Sequence, residues 1–585
     1  MHTFQKYFLY TSSTFAQHST SQTQRFLDGL LPAMKHFSTE NLGSGAGAAP
    51  KKIDLKSMTL KMMKPGGSQV NLPFTKGKKY DVIVIGGGTG GLSFAQEARK
   101  LGMTVALFDY VEPSSQGNTW GLGGTCVNVG CIPKKLFHIS TQVKENIEMG
   151  SDYGWTTKEP GHLTNNWEAL RTNIQNYIKG INFGYKNKLK EIGVDFIDAR
   201  ASFKDEHTVK FNYPQKQAAT TNSADSQYEL QADNFVIAAG VRPRHYENLP
   251  ELKDYAITSD DLFSLKENPG KTLVIGGGYI AVECAGFLAG LGNEVILANR
   301  SSFLRVFDND MANKVEEQLA EEGINFMKNT VIKSVKKLED KLYEVELETN
   351  KNNLKKVKVN TILVAIGRDA NPAGFQAENA QILLDQHSKK IVGRQEERER
   401  TSIDHIYAVG DVVQNVPELM PVAQKSGRLL AHRVFQRKQN QLSEDQILKT
   451  YSTDYNLIPT TIFSPTEYSF VGLSEEEAQK QYGADNIEVY HRESTPLQYS
   501  IYKNNTKIAY MKLIVDKTQD ERVLGLHYFG PGADEVIGGF AVAMKLGMTK
   551  RDLDSTIGIH PSTSEDLYNL DVTKRSGGEY RKTEC

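Results

Sequence analysis

The chain has 585 residues, with 69 basic against 70 acidic and a formal net charge of −1. That length accommodates three or four domains with substantial cores, and the balanced charge supplies no overall field that would favour nucleic acid or an acidic membrane surface. Four cysteines in so long a chain exclude a disulfide-stapled secreted scaffold, and no apolar run approaches the roughly 20 residues needed to cross a bilayer, so a soluble chain in a reducing compartment is expected.

Residues 1–27 contain no Asp or Glu, are rich in Ser and Thr, and carry Lys6 and Arg25 beside Phe4, Tyr7, Phe8 and Leu9. Two readings stand, a mitochondrial transit peptide or a polar extension, and the expected location is mitochondrial or cytoplasmic. "GSGAGAAPKK" (43–52) reads as a flexible linker. Residues 1–79 therefore form an N-terminal extension, and folded sequence starts near Tyr80.

From Tyr80 short β-branched runs alternate with helical stretches, the pattern of an α/β fold with parallel sheet. "YDVIVIGGGTGGLSFAQEARKLGMTVALFD" (80–109) and "KTLVIGGGYIAVECAGFLAGLGNEVILANR" (271–300) repeat the order strand, glycine-rich turn, helix, strand. Two complete βαβ sites predict two dinucleotides. In the first, Gly86 permits the tight turn, Gly88 lets backbone amides approach a pyrophosphate, Gly91 lets the helix pack on the strand, and Asp109 at the second strand's end suits a ribose. The second keeps Gly276 and Gly278, with Ala281 third, but no acid ends its strand; Arg300 and Arg305 stand there, and guanidinium forks match a 2′-phosphate. The second site is thus expected to take NADPH, which leaves FAD as the relay for the first. "IDHIYAVGDV" (403–412) is a short strand whose end places Gly410 and Asp411 beside a flavin's ribityl or phosphate part. After about residue 440 the pattern changes to mixed strands and helices, read as a separate α+β domain.

Between the repeats, "GGTCVNVGCIPKK" (123–135) sets Cys126 and Cys131 five positions apart. A structural disulfide, half of a zinc site and a redox pair are the three readings. In an ideal helix Cα atoms five apart lie roughly 8 to 9 Å from each other, beyond the disulfide limit of about 7 Å, so a bond here demands a distorted first turn, and such strain suits a bond meant to be reduced. No second cysteine pair completes a zinc site, and nearby His138 has no ligand partners in sequence. Cys284, inside the second nucleotide-binding helix, reads as a small buried apolar residue.

With "GGTCVNVGCIPKK", "GGGYIAVECAGFLAGLG", "FVIAAGVRPR", "ILVAIGRDA", "YAVGDV", "STIGIHP" and "VTKRSG" in hand, residues 80–585 resemble the pyridine nucleotide disulfide oxidoreductases, most closely the large thioredoxin reductases. The resemblance implies a homodimer that carries electrons from NADPH through FAD to the Cys126/Cys131 disulfide, then to a C-terminal redox tail bearing Cys585, and from there to thioredoxin. It divides the chain into a discontinuous FAD-binding domain (80–243 and 366–440), an NADPH-binding domain (244–365), an interface domain (441–577) and a mobile redox tail (578–585). It makes Cys131 the thiol beside the flavin and Cys126 the outer, attacking thiol. It counts Gly124 and Thr125 among the cofactor-binding residues, pairs Lys134 with Glu283 near the flavin, and makes Tyr279 the ring that covers the flavin until nicotinamide enters. His560 and Glu565 are implied as the acid–base pair working in the partner subunit's site. The resemblance leaves residues 1–79 unexplained.

The stretch beyond Glu565, ending in Cys585, favours a thioredoxin reductase over a glutathione reductase, which stops sooner. Large thioredoxin reductases carry two adjacent redox residues here, and this chain has one, so a selenocysteine codon read as stop is expected to follow. A glutathione-disulfide reductase and a non-catalytic flavoprotein redox sensor are the alternatives.

Overall fold

The computed structural model describes residue 74 and residues 77–156, 163–212, 227–350 and 353–582. Residues 1–73, read as either a transit peptide or a polar extension with a linker, and Cys585, expected to be a redox thiol, lie outside the described residues.

The first repeat folds as β1 (Lys79–Ile85), α1 (Thr89–Lys100) and β2 (Val105–Asp109), with β1 and β2 parallel from Val82↔Val105 to Ile85↔Phe108. β1 is apolar on both faces because both are covered: Val82 and Val84 pack with Phe94 and Ala95 of α1, while Ile83 and Ile85 face a second cluster with Phe108 and Phe235. The chain then forms α2 (Gly124–Val129), α3 (Cys131–Met149) and α4 (Trp167–Ile192). Asn166 caps the start of α4 by accepting from Ala169 N, and Gly193 in the left-handed conformation ends it. β3 (Asp195–Asp198), β4 (Ala201–Asp205), β5 (Thr208–Phe211) and β6 (Tyr228–Ile237) complete most of the first sheet.

The second repeat gives β7 (Thr272–Ile275), α5 (Tyr279–Gly290) and β8 (Val295–Ala298), then α6 (Asn309–Glu321), β9 (Asn325–Met327) and β10 (Thr361–Val364). Its four-stranded parallel sheet has the order β9-β8-β7-β10. A three-stranded antiparallel sheet (Thr330–Glu339, Leu342–Thr349, Asn353–Val359) leads into β10. β11 (Ile406–Ala408) then returns to the first sheet and pairs parallel with the C-terminal end of β6, completing seven strands around the core order β3-β2-β1-β6-β11. The same strand order outward from a central first strand therefore occurs twice.

After α7 (Met420–Gln439) the last region builds a six-stranded sheet from β12 (Thr460–Ile462), β13 (Tyr468–Gly472), β14 (Ile487–Ser494), β15 (Ala509–Asp516), β16 (Arg522–Phe529) and β17 (Arg581–Lys582), flanked by α8 (Ala533–Lys545). Its order is β12-β13-β16-β15-β14-β17. A buried ion cluster fastens it to the second repeat: Lys512 Nζ of β15 lies 2.8 Å from Asp308 Oδ2, 2.7 Å from Asp310 Oδ2 and 2.7 Å from Glu475 Oε2.

The tail expected to move freely from residue 578 is anchored in its first part. Glu493 N of β14 donates to Tyr580 O at 2.9 Å, Tyr580 stacks on His491 at 4.4 Å, and Arg581 Nε meets Glu493 Oε1 at 3.0 Å. The physical reason is the unpaired edge of β14, which offers backbone donors and acceptors to any neighbouring strand. Among the described residues no helix is long and apolar enough to cross a membrane.

Candidate active site

The first glycine-rich turn is built by close approach. Gly86 has φ +114° and a Cβ there would sit 2.2 Å from Ala238 O; one on Gly91 would sit 2.0 Å from Gly86 O. Gly88 begins α1 and faces Gly124 (φ +70°), where a Cβ would stand 2.7 Å from the Gly88 Cα. Two chain segments thus close on one another with no side chain between them, leaving a cradle at the α1 N-terminus. Asp109 Oδ1 accepts from Gly87 N at 2.9 Å, so the carboxylate at the end of β2 fixes the turn. Burial, aided by Asp198 and opposed by the Gly87 N–H, pushes its carboxyl up to about 6. Gly410 and Asp411 fall just after β11 on the same cleft, and burial with Glu418 nearby pushes Asp411 up to about 6 as well.

The second turn repeats the first at its opening glycine. A Cβ on Gly276 (φ +147°) would lie 2.1 Å from Ala365 O. Gly278 begins α5 and has open space around it, and Ala281 is fully buried, so this helix stands far enough from its strand for a methyl group. Leu304 N donates to Gly277 O at 2.7 Å, which folds the loop bearing Arg300 and Arg305 back against the turn. Both arginines are exposed, and neither forms an ion pair with a described residue.

The cysteines sit where α2 gives way to α3, at Gly130 (φ −142°, ψ −117°). A Cβ on Gly130 would come within 2.9 Å of Thr125 O and 3.2 Å of the Cys126 Cα. The expected distorted first turn is therefore a break between two helices, with Cys126 on one and Cys131 opening the next. Both are free thiols and share a hydrogen bond. That bond and the ammonium of Lys134 pull Cys131 below the usual thiol range, while the same bond and burial push Cys126 up. Cys131 is thus the readier of the two to ionise, and Cys126 the one that keeps its proton longer. Cys284 is buried and its thiol pushed up by desolvation, as an apolar packing residue should be.

Behind the thiols, Lys134 Nζ lies 2.9 Å from Glu283 Oε1, which also accepts from Phe463 N at 2.8 Å. Glu283 belongs to α5 and Phe463 follows β12, so the pair ties all three regions together at the cleft. Tyr279 lines the cleft, its ring open on one side, and desolvation raises its phenol. His138 is not without a partner: buried, it meets Glu467 Oε1 at 3.1 Å, and Lys135 meets the same oxygen at 2.9 Å.

Far along the chain, His560 Nδ1 lies 2.9 Å from Glu565 Oε2, and a Cβ on Gly558 would meet Glu565 Cγ at 3.0 Å, so the glycine admits the carboxylate. His560 is exposed and does not line the cleft of its own chain. Ile557 and Ile559 beside it are 96% and 79% exposed, and Val542 and Leu546 of α8 are 62% and 85% exposed.

Residues 80–427 match the family described as pyridine nucleotide-disulphide oxidoreductase, and residues 458–570 match its dimerisation domain. The chain is also 40% identical over 515 residues to thioredoxin reductase SEP1 of Emiliania huxleyi, covering 87% of this chain and 98% of that protein. This chain belongs to the pyridine nucleotide-disulphide oxidoreductases. Its cofactors are FAD and NADPH, and it carries the family's dimerisation domain. The residues present suit such cofactors: a side-chain-free cradle at a helix N-terminus, an acid at the end of the second strand, and a cleft that runs from Asp109 past Gly124 and the thiols to Lys134 and Tyr279.

Sequence reasoning missed Arg368 in "AIGRDA". It is buried on the cleft and donates to Val241 O at 2.9 Å, Ser259 Oγ at 3.2 Å and Thr125 Oγ1 at 3.4 Å, and pairs with Asp260. A charged residue after an apolar strand was the available signal.

Proposed function

We propose that the chain is an NADPH-dependent thioredoxin-disulfide reductase in which FAD occupies the first dinucleotide unit, NADPH the second, and Cys126 and Cys131 form the disulfide reduced between them. The observation that carries the reading is the thiol pair itself: two cysteines that share a hydrogen bond in the cleft, with Lys134 and Glu283 behind them. FAD held there would supply hydride acceptance from NADPH and two-electron delivery to the disulfide. Everything else is the work of the chain's own side chains.

Lys134 holds negative charge at the flavin side of the cleft, and Glu283 keeps the ammonium oriented. Reduction leaves Cys131 as thiolate and Cys126 as thiol, the distribution favoured by their mutual hydrogen bond. To attack, Cys126 must lose its proton. An imidazole whose Nδ1 is held by Glu565 presents Nε2 as the acceptor. Cys126 sulfur then bonds one sulfur of the incoming disulfide, and the departing thiolate takes the proton back. Cys131 thiolate then attacks the Cys126 sulfur, expels the substrate sulfur bonded to it as a thiolate that takes its proton from water, and restores the Cys126–Cys131 bond, so two electrons leave the pair per cycle.

Because His560 lies outside its own chain's cleft, the reading assigns it to the cleft of a second copy. The exposed Ile557 and Ile559, which precede the pair in sequence, and the exposed Val542 and Leu546 of α8 support this, since exposed apolar side chains of that size call for cover.

Oxidised thioredoxin and oxidised glutathione, each offered with NADPH to the purified protein, test the assignment. Thioredoxin should be reduced and glutathione poorly. Glutathione turnover without thioredoxin turnover would move the chain to the glutathione reductases, and no NADPH consumption with either would end the reading. Co-expressing Cys126→Ser and His560→Ala chains should restore activity that each lacks alone; no restoration would reject the shared site.

A further inference from the structure

The two dinucleotide units are in register residue for residue: Ile85 pairs with Phe108 in the first, Ile275 with Ala298 in the second. The residue after each pair is therefore equivalent, Asp109 in one and Asn299 in the other. Both side chains lie against the second glycine of their turn. A Cβ on Gly87 would be 2.8 Å from Asp109 Cγ, and one on Gly277 would be 2.8 Å from Asn299 Nδ2. Asp109 spends one oxygen on Gly87 N. Asn299 spends nothing: it is 4% exposed, yet neither Oδ1 nor Nδ2 has a hydrogen-bond partner among the described residues. A buried amide with both ends unmet costs free energy that a native chain does not carry without return.

Resting on the assignment of NADPH to the second unit, we propose that Asn299 is a specificity-determining residue for the adenosine end of that nucleotide. Rotation of the amide by half a turn about its last torsion sets Oδ1 toward Gly277 N, as Asp109 Oδ1 is set toward Gly87 N, and leaves Nδ2 as a donor toward the ribose 2′-phosphate. A carboxylate could fix the turn equally well, but its second oxygen would repel a phosphate and accept from a 2′-hydroxyl instead. The amide is the residue that satisfies the turn and still donates. Arg300 follows immediately, and the bond from Leu304 N to Gly277 O at 2.7 Å brings the loop with Arg305 to the same place. The 2′-phosphate thus meets two guanidinium groups and one neutral donor. Backbone ties at Asn299, to Met327 O at 3.1 Å and from Thr330 N at 2.7 Å, hold the amide at this spot and do not depend on the side chain.

Binding of 2′,5′-ADP and of 5′-ADP to the oxidised, flavin-loaded enzyme, measured by calorimetry, tests this without turnover. Asn299→Asp should weaken 2′,5′-ADP on the order of 10- to 100-fold while 5′-ADP holds or improves. In kinetics the same variant should raise KM for NADPH and shift the kcat/KM ratio toward NADH. Equal weakening of both nucleotides, or no change in either, would overturn the proposal, since an amide that merely braces Gly277 cannot discriminate. If Asn299→Asp does not accumulate as flavin-loaded protein, Asn299→Ala carries the same test: 2′,5′-ADP weaker by about 5-fold or more and 5′-ADP within about 2-fold, with equal loss again contradicting it. If wild type itself prefers 5′-ADP, the NADPH assignment fails separately from the role of Asn299.

Discussion

The two βαβ units share a backbone and differ in what surrounds it. In the first, Gly88 and Gly124 close on each other, Asp109 is desolvated, and the cleft continues inward to the thiols. In the second, Gly278 has open space about it and the arginines are exposed. One arrangement suits a nucleotide that stays and the other a nucleotide that exchanges each cycle. Identical turn geometry thus determines only that a dinucleotide binds; the residues one position past the strand and the walls around the turn determine which one and for how long.

The largest effect is expected where the two units meet. Cys126→Ser or Cys131→Ser should lower NADPH-dependent disulfide reduction by at least about 1000-fold while flavin content stays near wild type. Retained turnover in either variant would detach the thiols from the path between the units. Next come the paired glycines. Gly86→Ala and Gly276→Ala place methyl groups 2.2 Å and 2.1 Å from carbonyl oxygens, and each should cost about 3 kcal/mol of stability in denaturant melts. The comparison sharpens in the second readout: Gly86→Ala should purify with reduced flavin, Gly276→Ala with full flavin and a raised KM for NADPH.

Removing both Arg300 and Arg305 as alanines should lower NADPH selectivity over NADH by about 100-fold and leave flavin content unchanged. The smallest effect separates Asp109 from Asn299 by titration. Between the ordinary carboxyl value of 3.8 and about 6 the folded, flavin-free chain keeps a proton on Asp109 that the unfolded chain has lost. Stability therefore falls as pH rises through that window, by about 1–2 kcal/mol once partial solvent exposure is allowed for. Asp109→Asn should flatten the fall, whereas Asn299→Ala should leave it in place; thermal melts from pH 4 to 7 decide.

Much of this architecture was legible in the chain itself. The glycine spacing, the β-branched runs and the strand-end charges follow from local rules, while "GGTCVNVGCIPKK" holds the thiol pair found on the cleft and "STIGIHP" the histidine found bonded to Glu565. What escaped reading depends on contacts far apart in sequence. His138 gains its partner from Glu467, 329 positions away, and Glu283 gains Phe463 N from 180 positions away. The break at Gly130 follows from how near Thr125 O passes, which spacing alone does not reveal. The anchoring of Arg581–Lys582 needs knowledge of which strand forms the sheet edge. Asn299 looked like an ordinary strand end until its register with Asp109 was established.

The central claim is that electrons entering from NADPH come to rest on Cys126 and Cys131. Anaerobic addition of one equivalent of NADPH to the oxidised enzyme, followed by alkylation and peptide mass analysis, tests it directly. The account predicts that both thiols become alkylated only after NADPH is added, with Cys284 unchanged throughout. Unchanged labelling at Cys126 and Cys131 while NADPH is consumed would contradict it.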